Sequence, residues 1–232
     1  MGPTLMIYIA LDDTDMLDTR GTGHLAREIA VQLAESYPLA GITRHQLSSD
    51  PRVPCTHKNS SAVIHLEAPA GAIPDLLAQT RDLMLADFIP GSDPGLCVAA
   101  EVPAAITAFG YKAKNGYVAQ SEARALAAQH EMQLLGLGGT EDGVIGALAS
   151  VGLAAGGDDG RYIVIGSVRD LTDLQPVEAL LAAGITAVMT LDGTPVTSGL
   201  VLTERLRPAR RQSRPVVFVE PQADYWLPLK LD

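Results

Sequence analysis

The chain is short of lysine and cysteine, has no long apolar run, and carries no P-loop. Lys58, Lys112, Lys114 and Lys230 are its only lysines, and with 17 Lys and Arg against 27 Asp and Glu the formal net charge is −10. That excludes broad, non-specific nucleic-acid binding, because neutralising phosphates takes clustered cations. Cys55 and Cys97 lie far apart and outside any C-x-x-C. A disulfide framework and a cysteine-based zinc site are therefore excluded, and both are read as inert thiols. No apolar run approaches the roughly 20 residues that span a bilayer, and the start MGPTLMIYIALDD lacks the basic region and cleavage site of a secretory signal. A cytoplasmic protein with no membrane partner is expected. The absence of G-x-x-x-x-G-K-[ST] excludes a P-loop NTPase.

What is present supports a sizeable core: 232 residues, 47% of them hydrophobic, suit one large domain or two small ones. Residues 4–11 form an apolar run that reads as a buried strand, and Leu25, Ile29 and Leu33 with Ala26, Ala30 and Ala34 recur at helical spacing. GITRHQL and SSAVIHLEA read as strands joined by a loop whose Pro51 and Pro54 forbid regular pairing. IPDLLAQTRDLMLADF reads as a helix with Pro74 in its first turn, GLCVAAE as a strand, and SEARALAAQHE as a helix opened by Ser121. A Gly-Gly-Thr turn then leads through Glu141 and Asp142 into Val144, Ile145, Leu148 and Val151 at helical spacing. The Gly-Gly-Asp-Asp-Gly run at 156–160 is the best domain boundary, since a compact strand, helix, strand, strand pattern follows it and suits a small α+β sandwich.

Between the first strand and helix stands ALDDTDMLDTRGTGH, with Asp12, Asp13, Asp15 and Asp18 within seven positions. Like charges at that spacing cost stability unless a cation or hydrogen-bond donors hold them. Carboxylates at the carboxyl end of a strand in an α/β-type layer suit a hard cation such as magnesium, and the turn Arg20-Gly21-Thr22-Gly23 at a helix start offers N–H groups to an anion. The plainer alternative is that these are turn and capping residues, with Asp18 or Thr22 capping the helix. Asp13-Thr14-Asp15 also invites comparison with aspartyl-phosphate phosphatases, in which it would supply nucleophile and acid/base, but Leu17 stands where that motif wants Thr or Val. The stretch ERLRPARRQSRP holds Arg205, Arg207, Arg210, Arg211 and Arg214, either a solvated loop or a phosphate-facing patch. The five histidines form no local metal pattern. His24 and His57 adjoin the implicated segments and are candidates for phosphate contact or acid/base work, whereas His45, His65 and His130 are read as satisfied or solvated.

Taken in order, LDDTD with RGTG, VPCTHKNSSAVIHL, SDPGLCVA, GYKAKNGYV and GLGGTEDGVIGALASVGLA resemble the archaeal isoleucine-tRNA agmatidine synthetases, closely over residues 6–160 and weakly to about 220. The resemblance implies an α+β fold with an atypical kinase-like domain, residues 1–157, and a ferredoxin-like domain, residues 158–232. It implies ATP and Mg²⁺ used to phosphorylate a cytidine base before agmatine displaces the phosphate. Carried to this chain, Asp12, Asp13 and Asp15 bind magnesium and assist transfer, while Gly138, Gly139, Thr140, Glu141, Asp142 and Gly143 line the nucleotide site. Lys58 and Asn59 fall in a basic loop that meets phosphate, with Lys114 and Asn115 as further candidates and an ordinary surface role as the alternative for each. The family's autophosphorylated threonine aligns with His24, with Thr22 nearby. The family also carries an oligonucleotide-binding barrel and a zinc ribbon that hold tRNA, which this sequence does not contain. The expectation is therefore phosphoryl transfer to a small molecule or nucleobase, with tRNA bound only through a partner protein. A non-catalytic nucleotide-binding module and the aspartyl-phosphate phosphatase are the alternatives. A homo-oligomer stays open.

Overall fold

A computed structural model describes residues 2–53, 55–56 and 58–231; His57 lies outside the described residues. Strand β1 (Thr4–Asp12) alternates as a strand with both faces covered must: Ile7, Ile9 and Leu11 face one core while Ala10 joins another and Tyr8 packs beside it. It pairs antiparallel with β3 (Ser60–Pro69) on one side and β4 (Gly95–Ala99) on the other. The acidic loop therefore leaves an antiparallel strand, and the parallel-strand crevice expected of an α/β layer is not the setting.

The sheet has twelve strands in a mixed arrangement. Beyond β4 lies β5 (Gln133–Gly136), and beyond β3 come β2 (Leu39–Gln46) and β6 (Arg161–Val164). The order continues through β10 (Ala209–Arg211), β11 (Arg214–Pro221), β12 (Trp226–Pro228), β9 (Leu200–Leu202) and β7 (Leu174–Pro176), with β8 (Ala187–Met189) beside β11. Only β8 with β11 and β9 with β12 pair parallel among the described strands. Because β6 pairs with β2, hydrogen bonding runs unbroken past the 156–160 glycines.

Helices cover both faces of the first half. Helix α1 (Thr22–Leu33) and α2 (Ile73–Ala86) bury Leu25, Ile29, Leu33, Leu76 and Met84 against the Ile7 face. On the Ala10 face lie α3 (Ala104–Asn115), α4 (Gln120–Gln129) and α5 (Gly143–Gly156). Helix α5 is apolar almost all round because sheet and helices enclose it. Its glycines sit where neighbours come close: a Cβ on Gly152 would stand 2.2 Å from the Ile106 carbonyl oxygen of α3. A smaller core about Val177, Leu180, Val188, Val201 and Val217 underlies α6 (Val177–Ala182) and the later strands.

Several local expectations change. Helix α3 and strand β5 are elements that the sequence pattern does not mark, and Ser121 does not open α4, whose N-cap is Ala119 with no side-chain cap. The arginine-rich stretch is partly strand. Arg210 is buried, donating to the Ala154 carbonyl through Nε and Nη2 at 3.2 and 2.8 Å and to the Tyr162 hydroxyl through Nη1 at 2.8 Å. A cation on the last carbonyls of α5 complements the negative end of that helix. Among the described residues no helix is long and apolar enough to cross a membrane.

Candidate functional site

Asp12 ends β1 on the α5 face, and α5 makes room for it. A Cβ on Gly146 would lie 1.9 Å from Asp12 Oδ2, and one on Gly143 would lie 3.0 Å from the Asp12 carbonyl oxygen. Only glycine at both positions lets the helix start sit against the strand end. Burial, then the neighbouring Asp13 charge, pushes the Asp12 carboxyl well above the ordinary carboxylate range.

Asp13 follows with φ +50°, a left-handed conformation that Asp tolerates. Its carboxyl is pushed up to about 6, first by burial and then by Asp93, Asp15 and Asp142. Carboxylates from three distant segments thus act electrostatically on Asp13. Asp15 is oriented by hydroxyls: Thr22 Oγ1 donates to Oδ1 at 3.1 Å and Thr56 Oγ1 to Oδ2 at 3.4 Å. Thr22 therefore does not cap α1. The N-caps of α1 and α5 are Gly21 and Asp142, and neither makes a side-chain capping bond. At the start of α5 the Gly143, Val144 and Ile145 N–H groups already donate to the carbonyls of Asp93, Glu141 and Asp142, and the His24 N–H of α1 donates to the Gly21 carbonyl. Among the described residues the Thr22 and Gly23 N–H groups of α1 are the ones left for an anion.

A cavity of ≈ 280 Å³ is lined by Asp12, Asp13, Asp15 and Asp142 together with Arg52, Lys58 and Asn59. A second cavity of ≈ 610 Å³ shares Lys58 and Asn59 with it and extends to Lys114 and Asn115. Tyr117 lines the first cavity half-exposed, its ring 4.9 Å below the Arg52 guanidinium, which Asp50 holds at 2.7 Å. As metal donors the carboxylates and hydroxyls are hard oxygens. Among the described residues no three His, Cys, Asp or Glu side chains form a self-contained cage. An ion held here by one or two carboxylates would complete its shell with phosphate and water, the usual habit of magnesium.

The other candidates are placed unevenly. Thr22, Lys58, Asn59 and Asp142 line the cavity with the three aspartates, whereas Arg20, Gly21, Gly23, His24, Gly138, Gly139, Thr140, Glu141 and Gly143 do not. Arg20 pairs with Asp87 and donates to the Thr14 carbonyl at 2.9 Å, fixing the acidic loop from behind. His24 is half-exposed and sits 3.4 Å from Glu28, one turn on along α1. Glu141 pairs with Arg124, and the Thr140 N–H donates to Asp93. Gly139, at φ +59°, shapes this turn, in which Asp142 accepts from Gln120 at 3.0 Å. Lys114 turns away to Asp159, 2.6 Å off, whose other oxygen meets His45 Nδ1 at 2.9 Å. Thr43 Oγ1 then bridges His45 and His65 at 2.9 and 2.8 Å, so both histidines are satisfied inside the protein. Asp93, Arg52 and Tyr117 do not stand out in the sequence; the SDPG bend before β4 and the NGY step after α3 are the signals that mark two of them.

The architecture is a mixed α/β fold built on one large mixed sheet. Solved structures with this fold include a complex of TiaS with an isoleucine tRNA and ATP, 21% identical, TM-score 0.57, covering 64% of this chain and 36% of that one. Also similar are the complex of TiaS with the same tRNA, AMPCPP and agmatine, 20% identical, TM-score 0.56, covering 63% and 36%, and a tRNA fluorescent labeling enzyme, 22% identical, TM-score 0.54, covering 64% and 36%. The chain spans about a third of the length of these structures, and at such identities the likeness is one of fold. No protein-family model and no curated protein matches the chain.

Proposed function

We propose that this protein binds ATP with Mg²⁺ in the ≈ 280 Å³ cavity and transfers a phosphoryl group to a nucleobase held in an RNA. The observation that carries the reading is a single cavity whose lining joins the carboxylates of Asp12, Asp13, Asp15 and Asp142 with the cations of Arg52 and Lys58. The carboxylates suit a divalent cation and the cationic side chains suit the polyphosphate that travels with it. In this reading the free N–H groups at the start of α1 and the Lys58 ammonium cradle the phosphates, while Asp12, Asp13 and Asp15 hold the ion. Bound there, a divalent ion stabilises charge on the transferring phosphoryl oxygens. Thr22 and Thr56 fix the Asp15 carboxylate in the orientation that this requires.

The second cavity, across Lys58 and Asn59, is assigned to the acceptor. An RNA acceptor draws support from the neighbouring structures, two of which are TiaS complexes with an isoleucine tRNA together with ATP or AMPCPP. In this reading RNA is preferred to the free small molecule as the acceptor. From the sequence resemblance we further propose that residues 1–157 form a kinase-like unit and 158–232 a ferredoxin-like one.

The test is transfer of label from γ-³²P-ATP to tRNA transcripts in the presence of Mg²⁺. Expected is label in the RNA or stoichiometric ADP release that depends on RNA, lost in Asp13→Asn. Tight ATP binding with no turnover across transcripts and candidate amines would instead identify a sensor module.

A further inference from the structure

The net charge of −10 conceals a local excess of the opposite sign. Arg27 on α1, Arg169 in the turn after β6, and Arg205 and Arg207 ahead of β10 converge around Ile163. Arg169 Nη1 donates to the Ile163 carbonyl at 3.2 Å. A Cβ on Gly23 would stand 3.2 Å from Ile163 Cδ1, so α1 rests on this residue one turn before Arg27. The Tyr162 N–H donates to the Pro208 carbonyl at 2.7 Å, which holds Arg207 beside the same strand.

The four guanidiniums act on one another. After burial, Arg169, Arg27 and Arg205 are the groups that press the Arg207 guanidinium below its ordinary range, and Arg169 does the same to Arg27. Glu28 is the one carboxylate that bears on Arg27, and it faces His24. Among the described residues none of the four arginines has an ion-pair partner within 4.0 Å. Lys230 stands within electrostatic reach of both Arg207 and Lys58, so positive charge continues from Ile163 to the rim of the ≈ 280 Å³ cavity.

We infer that the Arg27–Arg169–Arg205–Arg207 cluster binds the phosphate backbone of the RNA whose base enters the cavity. The inference rests on the RNA-acceptor reading above. Arg27 and Arg207 are half-buried while Arg169 and Arg205 are exposed beside them. Like charges gathered this way cost stability until an anion joins them, and guanidiniums match phosphate oxygens two at a time. An RNA strand satisfies both ends of the line at once, with a base for the cavity and a repeating anion for the arginines. An acidic peptide offers only the second.

The experiment is fluorescence anisotropy of a labelled tRNA transcript with the full chain, between 50 and 200 mM salt. Arg205→Glu and the Arg169→Glu/Arg207→Glu pair are compared with wild type, and nucleotide binding by each is measured alongside. Arg205 makes no side-chain bond among the described residues, so its variant keeps the test valid should the pair fail to fold. Expected is at least tenfold weaker RNA binding for the pair and about threefold for Arg205→Glu, with nucleotide affinity within twofold of wild type. The salt dependence should become shallower by roughly one for each phosphate no longer neutralised. RNA affinity and salt slope unchanged in folded variants would overturn the assignment, as would no RNA binding by wild type or more effective displacement by polyglutamate than by unlabelled RNA. Arginine-dependent RNA binding without any phosphoryl transfer would uphold the surface and sink the catalytic reading alone.

Discussion

Replacing Asp13 by Asn should make the metal-free protein more stable while destroying its site. The Asp13 carboxyl is raised from 3.8 to about 6 in the fold by burial and by Asp93, Asp15 and Asp142. At about 1.4 kcal/mol per pH unit, keeping it ionised at pH 8 costs the folded state up to about 3 kcal/mol. Asp13 is only partly buried, and solvent screening reduces this to roughly 1–2 kcal/mol. Asn keeps the shape, accepts the +50° φ and removes the charge. The sign follows from which state holds the proton. Above about pH 6 both states are ionised and the full cost stands; between 6 and 3.8 the folded chain retains a proton that the unfolded chain has released, so the cost shrinks. Below 3.8 both are protonated and it is gone. Thermal unfolding in EDTA should therefore show Asp13→Asn melting about 2–8 °C above wild type at pH 8, converging with it by pH 4. A variant no more stable than wild type at pH 8, or a gain of equal size at pH 4, would refute the electrostatic reasoning.

Three further perturbations address the supporting structure. Gly146→Ala puts a methyl 1.9 Å from Asp12 Oδ2 and 2.9 Å from Leu47 Cδ1. The overpacking, about 1–3 kcal/mol, should outweigh the helix-propensity gain of about 1 kcal/mol, giving a lower urea midpoint and weaker nucleotide binding. Asp159→Ala leaves Lys114 and His45 without their carboxylate inside the protein and should cost about 3–5 kcal/mol, read by urea denaturation. Burial, then the Arg210 and His45 charges, holds His65 well below the ordinary histidine range, so in acid the unfolded chain takes up a proton that the folded chain refuses. His65→Gln should therefore gain stability relative to wild type as pH falls from 7 to 5; a constant difference would contradict this.

The parts of the site that lie along one strand or one helix were legible. Alternation in TLMIYIALD fixes which face Asp12 takes, and the helical period of Leu25, Ile29 and Leu33 leaves His24 and Glu28 together on the outer side of α1. Glycines 143 and 146 mark a close approach, although the partner, Asp12, stands some 130 residues earlier and no local pattern names it. Asp93 joins the carboxylates only because β4 pairs with β1, and Arg52 meets Tyr117 only because the 47–59 loop folds toward the end of α3. Helix α3 was obscured by its alanines and Gly110, whose small size serves the close packing against α5. Chemistry in the motif does not ensure a place in the cavity either: Arg20, Glu141 and Lys114 spend their charges on Asp87, Arg124 and Asp159. The arginine stretch divides between Arg210, buried against the end of a helix, and Arg205 and Arg207, which have no ion-pair partner among the described residues, a split that spacing alone cannot show.

The most direct measurement is calorimetric titration of the protein with a non-hydrolysable ATP analogue, with Mg²⁺ and in EDTA. One site per chain is expected with the ion, at least tenfold weaker without it, and undetectable in Asp13→Asn. Equal affinity with and without Mg²⁺, or no heat under either condition, would contradict a carboxylate cluster built to share a cation with a polyphosphate.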